Sequence, residues 1–182
     1  MKIILIGIMG VGKTTIGKEL SKKLNFKMID MDNEIEKNQK MTISNIFDKY
    51  GEDKFREIEA NLLSKLILED NIIISTGGGI IKKQENRNLL KNEDNVIFLD
   101  GNIETILRHL NNGVDSRPLL KNSSNLKKII KRLFDERYEK YKQSASIIVS
   151  VDNKNIDEVV SQILVYISWF MILLYSNKCN SS

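Results

Sequence analysis

The chain predicts an α/β domain built on a parallel sheet, on three observations. Short β-branched runs alternate with amphipathic helical stretches along most of the 182 residues. The first run, Ile3-Ile4-Leu5-Ile6, passes directly into Gly7-Ile8-Met9-Gly10-Val11-Gly12-Lys13-Thr14, which carries the phosphate-binding spelling G-x-x-x-x-G-K-[ST] of a P-loop. A second short run delivers two aspartates, Asp30 and Asp32, at its carboxyl end, and that end is where open α/β sheets bind ligands.

The P-loop needs these residue types because a nucleotide triphosphate is wrapped closely by backbone N–H groups, and side chains at the turning positions obstruct the approach. Gly10, Val11, Gly12, Lys13, Thr14 and Thr15 are therefore the nucleotide-binding candidates. Lys13 reaches for the β and γ phosphates, Thr14 offers a hydroxyl to Mg²⁺, and the helix starting near Thr14 points its positive end at the anion. Ile16, Leu20 and Leu24 give that helix one apolar stripe. Lys27-Met28-Ile29 is the next strand. On an extended segment Asp30 and Asp32 point the same way, so one can serve Mg²⁺ through water while the other takes a proton from a substrate hydroxyl. The simpler alternative makes Asp32 the N-cap of a helix starting near Asn33.

Residues 42–50 carry Ile43, Ile46 and Phe47 at helical spacing and stop at Gly51, a C′ glycine. A longer helix opens at Glu52, with Phe55, Ile58, Leu62 and Leu66 as its core stripe. Arg56 and Glu59 share an adjacent face at i, i+3, either as a solvated ion pair worth little or as an arginine held to grip a carboxylate. Residues 71–75 form a strand followed by Thr76-Gly77-Gly78-Gly79, where the backbone can approach a ligand closely. A polar helix over 85–92, a strand over 96–99 and a short helix over 103–110 follow. Residues 111–125 lose all periodicity around Arg117-Pro118-Leu119-Leu120; such loops act as active-site lids, and Arg117 is the arginine this one brings onto phosphate. His109, the single histidine, reads as a surface residue. A basic helix over 126–143 contains Arg137, Tyr138 and Tyr141, residues 147–151 form the fifth strand, and Ile156, Val159, Val160, Ile163, Leu164 and Ile167 trace an amphipathic final helix.

Composition narrows the partners. With 41% apolar and 29% charged residues the chain is of globular type. The net charge of +4 is a mild excess. Its lysines, such as Lys18, Lys22, Lys23, Lys127, Lys128 and Lys131, lie scattered along helices without aromatic interleaving, so nucleic-acid binding is not expected. A single cysteine, Cys179, cannot form an internal disulfide, and the N-terminus enters the first strand without a signal-peptide pattern; a cytoplasmic location is the expectation. From Ile163 to Tyr175 only Ser168 is polar, a run shorter than the ~20 residues that span a bilayer. Membrane contact is therefore not expected, and a monomer with scope for self-association through this tail is.

In combination, GIMGVGKTTIG from Gly7, IDMD from Ile29, IFDKYGEDKFREIE from Ile46, TGGG from Thr76, RPLL from Arg117 and ERYEKYKQSA ending at Ala145 resemble the shikimate kinases, from Met1 to about Ile167. The resemblance implies a P-loop three-layer α/β/α fold with a five-stranded parallel sheet in the order 2-3-1-4-5. It makes residues 1–167 one domain with a lid at about 111–125, and 168–182 an extra tail. The activity it implies is transfer of the ATP γ-phosphoryl group to the 3-hydroxyl of shikimate, with Mg²⁺ on Thr14 and, through water, Asp30. Asp32 then lies against the reacting hydroxyl, Arg56, Arg137 and the backbone at Gly78 and Gly79 bind shikimate, Glu59 braces Arg56, Arg117 closes over the phosphoryl group, and Arg108 lies on the adenine. Another small-molecule kinase of this fold, acting on gluconate or a nucleotide, is the alternative, as is a non-catalytic nucleotide-binding module; the pair Arg56 and Arg137 favours a carboxylate acceptor.

Overall fold

The computed structural model describes the backbone of residues 1–112 and 123–179 and the side chains of residues 1–110 and 126–169. Five parallel strands, β1 (Lys2–Ile6), β2 (Lys27–Asp30), β3 (Ile72–Ser75), β4 (Val96–Asp100) and β5 (Ile147–Ser150), lie in the order β2-β3-β1-β4-β5. The expected order is thus the observed one. All four residues of β3, together with Ile3 to Ile6 of β1 and Val96 to Leu99 of β4, are buried, as continuous apolar strands must be when helices cover both faces. Each fully buried isoleucine contributes about 1.5–3 kcal/mol, which makes this hydrophobic centre a rigid support for the loops at its carboxyl edge.

Helices α1 (Lys13–Leu24) and α7 (Ile156–Cys179) pack together, and α4 (Gln84–Lys91) and α5 (Ile103–Asn112) both pack on α6 (Ser123–Ser144). Helix α2 (Met31–Gln39) packs on α3 (Ile43–Leu66) around a small separate cluster of Ile35, Ile46 and Phe55. The helix predicted from residue 126 starts at Ser123, so the stretch between α5 and α6 is shorter than the predicted lid.

Two local details differ from the expectation or refine it. The cap of α2 is Asp30, not Asp32: Asp30 is extended, and its Oδ1 accepts from the Asn33 amide at 3.3 Å. The helix therefore begins at Met31, and Asp32 sits inside its first turn instead of on an extended strand. The predicted stop at Gly51 is a kink with φ 78°, a conformation glycine adopts freely. The helix resumes at once, and the second half of α3 points Arg56 and Glu59 toward the end of β3. Among the described residues no helix is long and apolar enough to cross a membrane; α7 continues without a break into the apolar tail.

Candidate active site

β1 lies between β3 and β4, so the loop leaving β1 and the loop leaving β3 emerge side by side. Thr76 ties them together, donating to Leu5 O from its amide at 3.1 Å and from its hydroxyl at 2.9 Å. A Cβ on Gly78 would sit 3.2 Å from the Met9 amide nitrogen, which explains the absence of a side chain there. A cleft of about 650 Å³ opens over this junction and is lined by the P-loop from Met9 to Ile16 together with Asp30, Asp32, Thr76 and Gly78.

At the phosphate end Gly10 and Gly12 hold positive φ angles of 79° and 101°, which bend the loop around the start of α1. Lys13 is buried, with Nζ donating to Gly7 O at 2.8 Å and Ile8 O at 3.0 Å. Its ammonium is thus stored on the loop's own carbonyls beside the place where phosphate oxygens would lie. Thr14 Oγ1 donates to Asp30 Oδ2 at 2.6 Å, and Ser75 Oγ donates to the same oxygen at 3.2 Å. One carboxylate and two hydroxyls suit Mg²⁺, which is held by one or two carboxylates plus nucleotide phosphates and not by an all-protein cage. Among the described residues no cluster of three or more His, Cys, Asp or Glu offers such a cage.

The other end, where the acceptor is expected from the sequence, is assembled from four elements. Arg56 donates from Nη1 to Glu59 Oε2 at 2.8 Å, and from Nε and Nη2 to Glu52 Oε1 at 3.2 and 3.1 Å. The guanidinium packs flat on Gly79, where a Cβ would overlap it. Arg137 Nη1 and the Tyr141 hydroxyl, both from α6, donate to Gly78 O at 2.8 and 2.5 Å. Arg137 Nε is buried and finds no hydrogen-bond acceptor among the described residues. Gly77 separates two carboxylates: a Cβ there would lie 2.8 Å from Asp32 Oδ1 and 2.9 Å from Glu59 Oε1.

Glu59 is 1% exposed. Burial pushes its carboxyl up and the Asp32 charge adds to this, while Arg56 and Arg137 pull it back. Desolvation opposes the charge on Arg56, but Glu59 and Glu52 outweigh it and raise its pKa. The Lys82 ammonium, 2.6 Å from Glu52 Oε1, holds the Glu52 carboxyl below its usual range despite partial burial. Burial raises the Tyr141 hydroxyl, so it stays a neutral donor to Gly78.

The predicted phosphate-loop residues, Asp30, Asp32 and Gly78 all line the cleft, and Arg56, Glu59, Gly79 and Arg137 stand directly behind its triglycine wall. Arg117 lies outside the described residues. Arg108 does not line the cleft; it is exposed and donates only weakly to Thr105 Oγ1, at 3.4 Å. The expectation of a surface histidine is corrected, because His109 is half-buried, places Nδ1 3.1 Å from Gly10 O and lines the cleft with Leu110. A step of one residue along α5, about 100° of helical rotation, separates the outward face that Arg108 occupies from the inward face at His109 and Leu110. Sequence inspection also missed Val151, Lys154, Asn155 and Ile156, which line the far side. Asn155 and Glu158 cap α7 reciprocally, Asn155 N donating to Glu158 Oε2 at 2.7 Å and Glu158 N to Asn155 Oδ1 at 2.9 Å; the N-x-x-E spacing before an apolar helix is the signal that marks this turn.

Comparison with known proteins agrees with this geometry. The family model described as shikimate kinase matches residues 9–168. The shikimate kinase of Clostridium botulinum (strain Eklund 17B / Type B) is 46% identical over 162 residues, covering 89% of this chain and 94% of that protein. The solved shikimate kinase from Acinetobacter baumannii in complex with shikimate superposes with a TM-score of 0.82 at 32% identity, over 97% of this chain and 94% of that one. The solved shikimate kinase from Bacteroides thetaiotaomicron gives a TM-score of 0.86 at 31% identity, over 92% of this chain and 98% of that one.

Proposed function

Because the chain belongs to the shikimate kinase family, we propose how its residues divide the transfer of the ATP γ-phosphoryl group to the 3-hydroxyl of shikimate. The products are shikimate 3-phosphate and ADP, a step toward chorismate. The observation that carries the division is the triglycine turn. Gly78 approaches the P-loop, while its neighbours Gly77 and Gly79 pack against Asp32, Glu59 and Arg56, so donor phosphate and acceptor hydroxyl share one wall.

Lys13 exchanges its two carbonyl acceptors for β and γ phosphate oxygens when ATP enters, and the P-loop amides cradle the rest. Thr14 and Asp30, with Ser75 beside them, would hold Mg²⁺ there, and the bound ion supplies neutralisation of the developing phosphate charge. Arg56 and Arg137 grip the shikimate carboxylate through guanidinium forks, which match a planar anion better than an ammonium does. Among the described residues the buried Nε of Arg137 makes no hydrogen bond, the Glu136 carboxylate lying 3.7 Å away, which fits such a site. Asp32 accepts the proton as the 3-oxygen forms its bond to phosphorus and the bond to the ADP oxygen breaks. Arg117 closes over the transferred group, and Leu110, His109 and Val151 take the base end of the nucleotide. The reducing cytoplasm suits a chain with one cysteine.

A coupled ADP-release assay with MgATP and shikimate, quinate or gluconate tests the assignment: turnover depends on shikimate, and equal turnover with gluconate would overturn the roles given to Arg56 and Arg137. The tail supports self-association, because α7 leaves Val165 and Trp169, both within the apolar run, exposed at 59% and 66%. Truncation after Ile167 lowers the mass measured by light scattering; an unchanged mass removes this role.

A further inference from the structure

Glu52 is not part of the cleft lining, yet a single oxygen of it, Oε1, collects three donors: Arg56 Nε at 3.2 Å, Arg56 Nη2 at 3.1 Å and Lys82 Nζ at 2.6 Å. Lys82 lies 30 residues further along the chain, in the segment that leaves the triglycine turn. That segment is itself fastened from behind. The Lys82 amide donates to Gly79 O at 2.9 Å, Arg87 Nη1 donates to Ile81 O at 2.6 Å and Lys82 O at 2.8 Å, and the buried Asn86 donates to Ile80 O at 2.9 Å. The two walls of the acceptor end, the second half of α3 and the turn after β3, are therefore bridged by one side-chain link outside the reaction zone.

We propose that Lys82 is a positioning residue for the acceptor arginine: through Glu52 it fixes the direction in which Arg56 presents its fork over Gly79. This rests on the role of Arg56 proposed above. An arginine braced only by Glu59 through Nη1 keeps the freedom to swing its other nitrogens. Glu52 removes that freedom by holding Nε and Nη2, and Lys82 in turn keeps Glu52 from turning to solvent, where 43% of its side chain is exposed. A partly exposed ion pair of this kind contributes modestly to stability, so its effect is expected chiefly in substrate affinity and only slightly in folding. Lys82 also holds the Glu52 carboxyl below its ordinary value, and a carboxylate is a strong acceptor for the guanidinium.

Steady-state kinetics on the full chain tests this with Lys82→Met, Lys82→Arg, Glu52→Ala, the double variant Lys82→Met with Glu52→Ala, and Arg56→Lys. Lys82→Met raises KM for shikimate by about two- to fivefold, with kcat, KM for ATP and the melting temperature essentially unchanged. Lys82→Arg restores most of the affinity. In the Glu52→Ala background Lys82→Met adds nothing further, because the link it acts through is already gone. The proposal is overturned by an unaltered KM for shikimate in Lys82→Met. It is equally overturned by the same fold-increase in both backgrounds, which would mean that Lys82 meets the substrate directly. A normal KM for shikimate in Arg56→Lys would instead remove the role of Arg56 itself, whereas a raised KM there alongside an unaltered one in Lys82→Met removes only the positioning link.

Discussion

The two ends of the cleft are made in different ways. The phosphate end comes almost entirely from one stretch, Gly7 to Thr14, completed by Asp30 and Ser75. Its positions are set by backbone geometry and by the burial of β1. The acceptor end draws Asp32 from α2, Arg56 and Glu59 from α3, the glycines after β3, and Arg137 and Tyr141 from α6. Arg56 is placed by the carboxylates of Glu52 and Glu59, and Arg137 and Tyr141 meet on the carbonyl of Gly78, a residue far from them in sequence. A local backbone cradle serves any nucleoside triphosphate, and an assembled constellation of charges selects one acceptor. The acceptor end should accordingly respond to subtle substitutions that the phosphate end has no counterpart for.

Asp32→Asn tests that contrast most severely. It keeps size and polarity but removes the proton acceptor, so kcat falls by roughly 10²- to 10⁴-fold while KM for shikimate changes little. A large rise in KM with kcat preserved would make Asp32 a binding group and leave the proton to another acceptor. Gly77→Ala comes next, with a loss of about 10²-fold in kcat/KM for shikimate, the scale of a small misplacement of reacting groups. The added carbon would fall within 3 Å of both Asp32 Oδ1 and Glu59 Oε1. Gly10→Ala offers the comparison at the other end, where the clash is with the flexible Leu110 side chain and a φ of 79° adds strain; it raises KM for ATP and leaves KM for shikimate alone.

The same contrast governs what was legible beforehand. The P-loop and the five strands could be read directly because each is a local pattern: Ile3 to Ile6 and Ile72 to Ile74 announce buried strands whatever their partners. Arg56 and Glu59 were visible as an i, i+3 pair, but their partners were not. Nothing in the spacing connects Glu52 to Lys82, or Tyr141 to Gly78, since these contacts exist only after α3, the turn after β3 and α6 have packed on the sheet. Asp30 and Asp32 were recognised as a pair with their geometry misjudged, because the Asn33 amide takes Asp30 as its cap and the helix starts two residues sooner, at Met31. His109 carried no signal at all: whether a helical residue faces the P-loop or solvent depends on the rotation of α5 over Gly10.

Two carboxylates on α3 carry the comparison into pH dependence. Both hold Arg56, yet they are shifted in opposite directions from the ordinary value of 4.5. Glu59 is raised, chiefly by burial, so it favours the folded state most at low pH, and this contribution is lost as pH climbs from 4.5 through its raised value. Glu52 is lowered, chiefly by Lys82, so its contribution is present above 4.5 and is lost as pH falls below it. Urea midpoints measured across pH therefore separate the two: Glu59→Gln flattens the decline on the upper side, and Glu52→Gln flattens the decline on the acid side. Exchange of those two outcomes would mean that the ion pair, not burial, decides the state of Glu59.

The smallest effect is expected at the rim of the nucleotide end, with Arg108→Ala. If the phosphate end is a backbone cradle closed by apolar contacts, a long exposed cation beside it contributes little. Among the described residues Arg108 makes a 3.4 Å bond to Thr105 and stays outside the cleft that His109 and Leu110 enter from the neighbouring positions of α5. KM for ATP in Arg108→Ala should stay within about twofold of the parent, the level of a solvent-exposed contact, while Leu110→Ala, which removes lining, raises it further. A tenfold rise in KM for ATP on losing Arg108 would place the guanidinium on the adenine during turnover, and the nucleotide end would then depend on a placed side chain just as the acceptor end does.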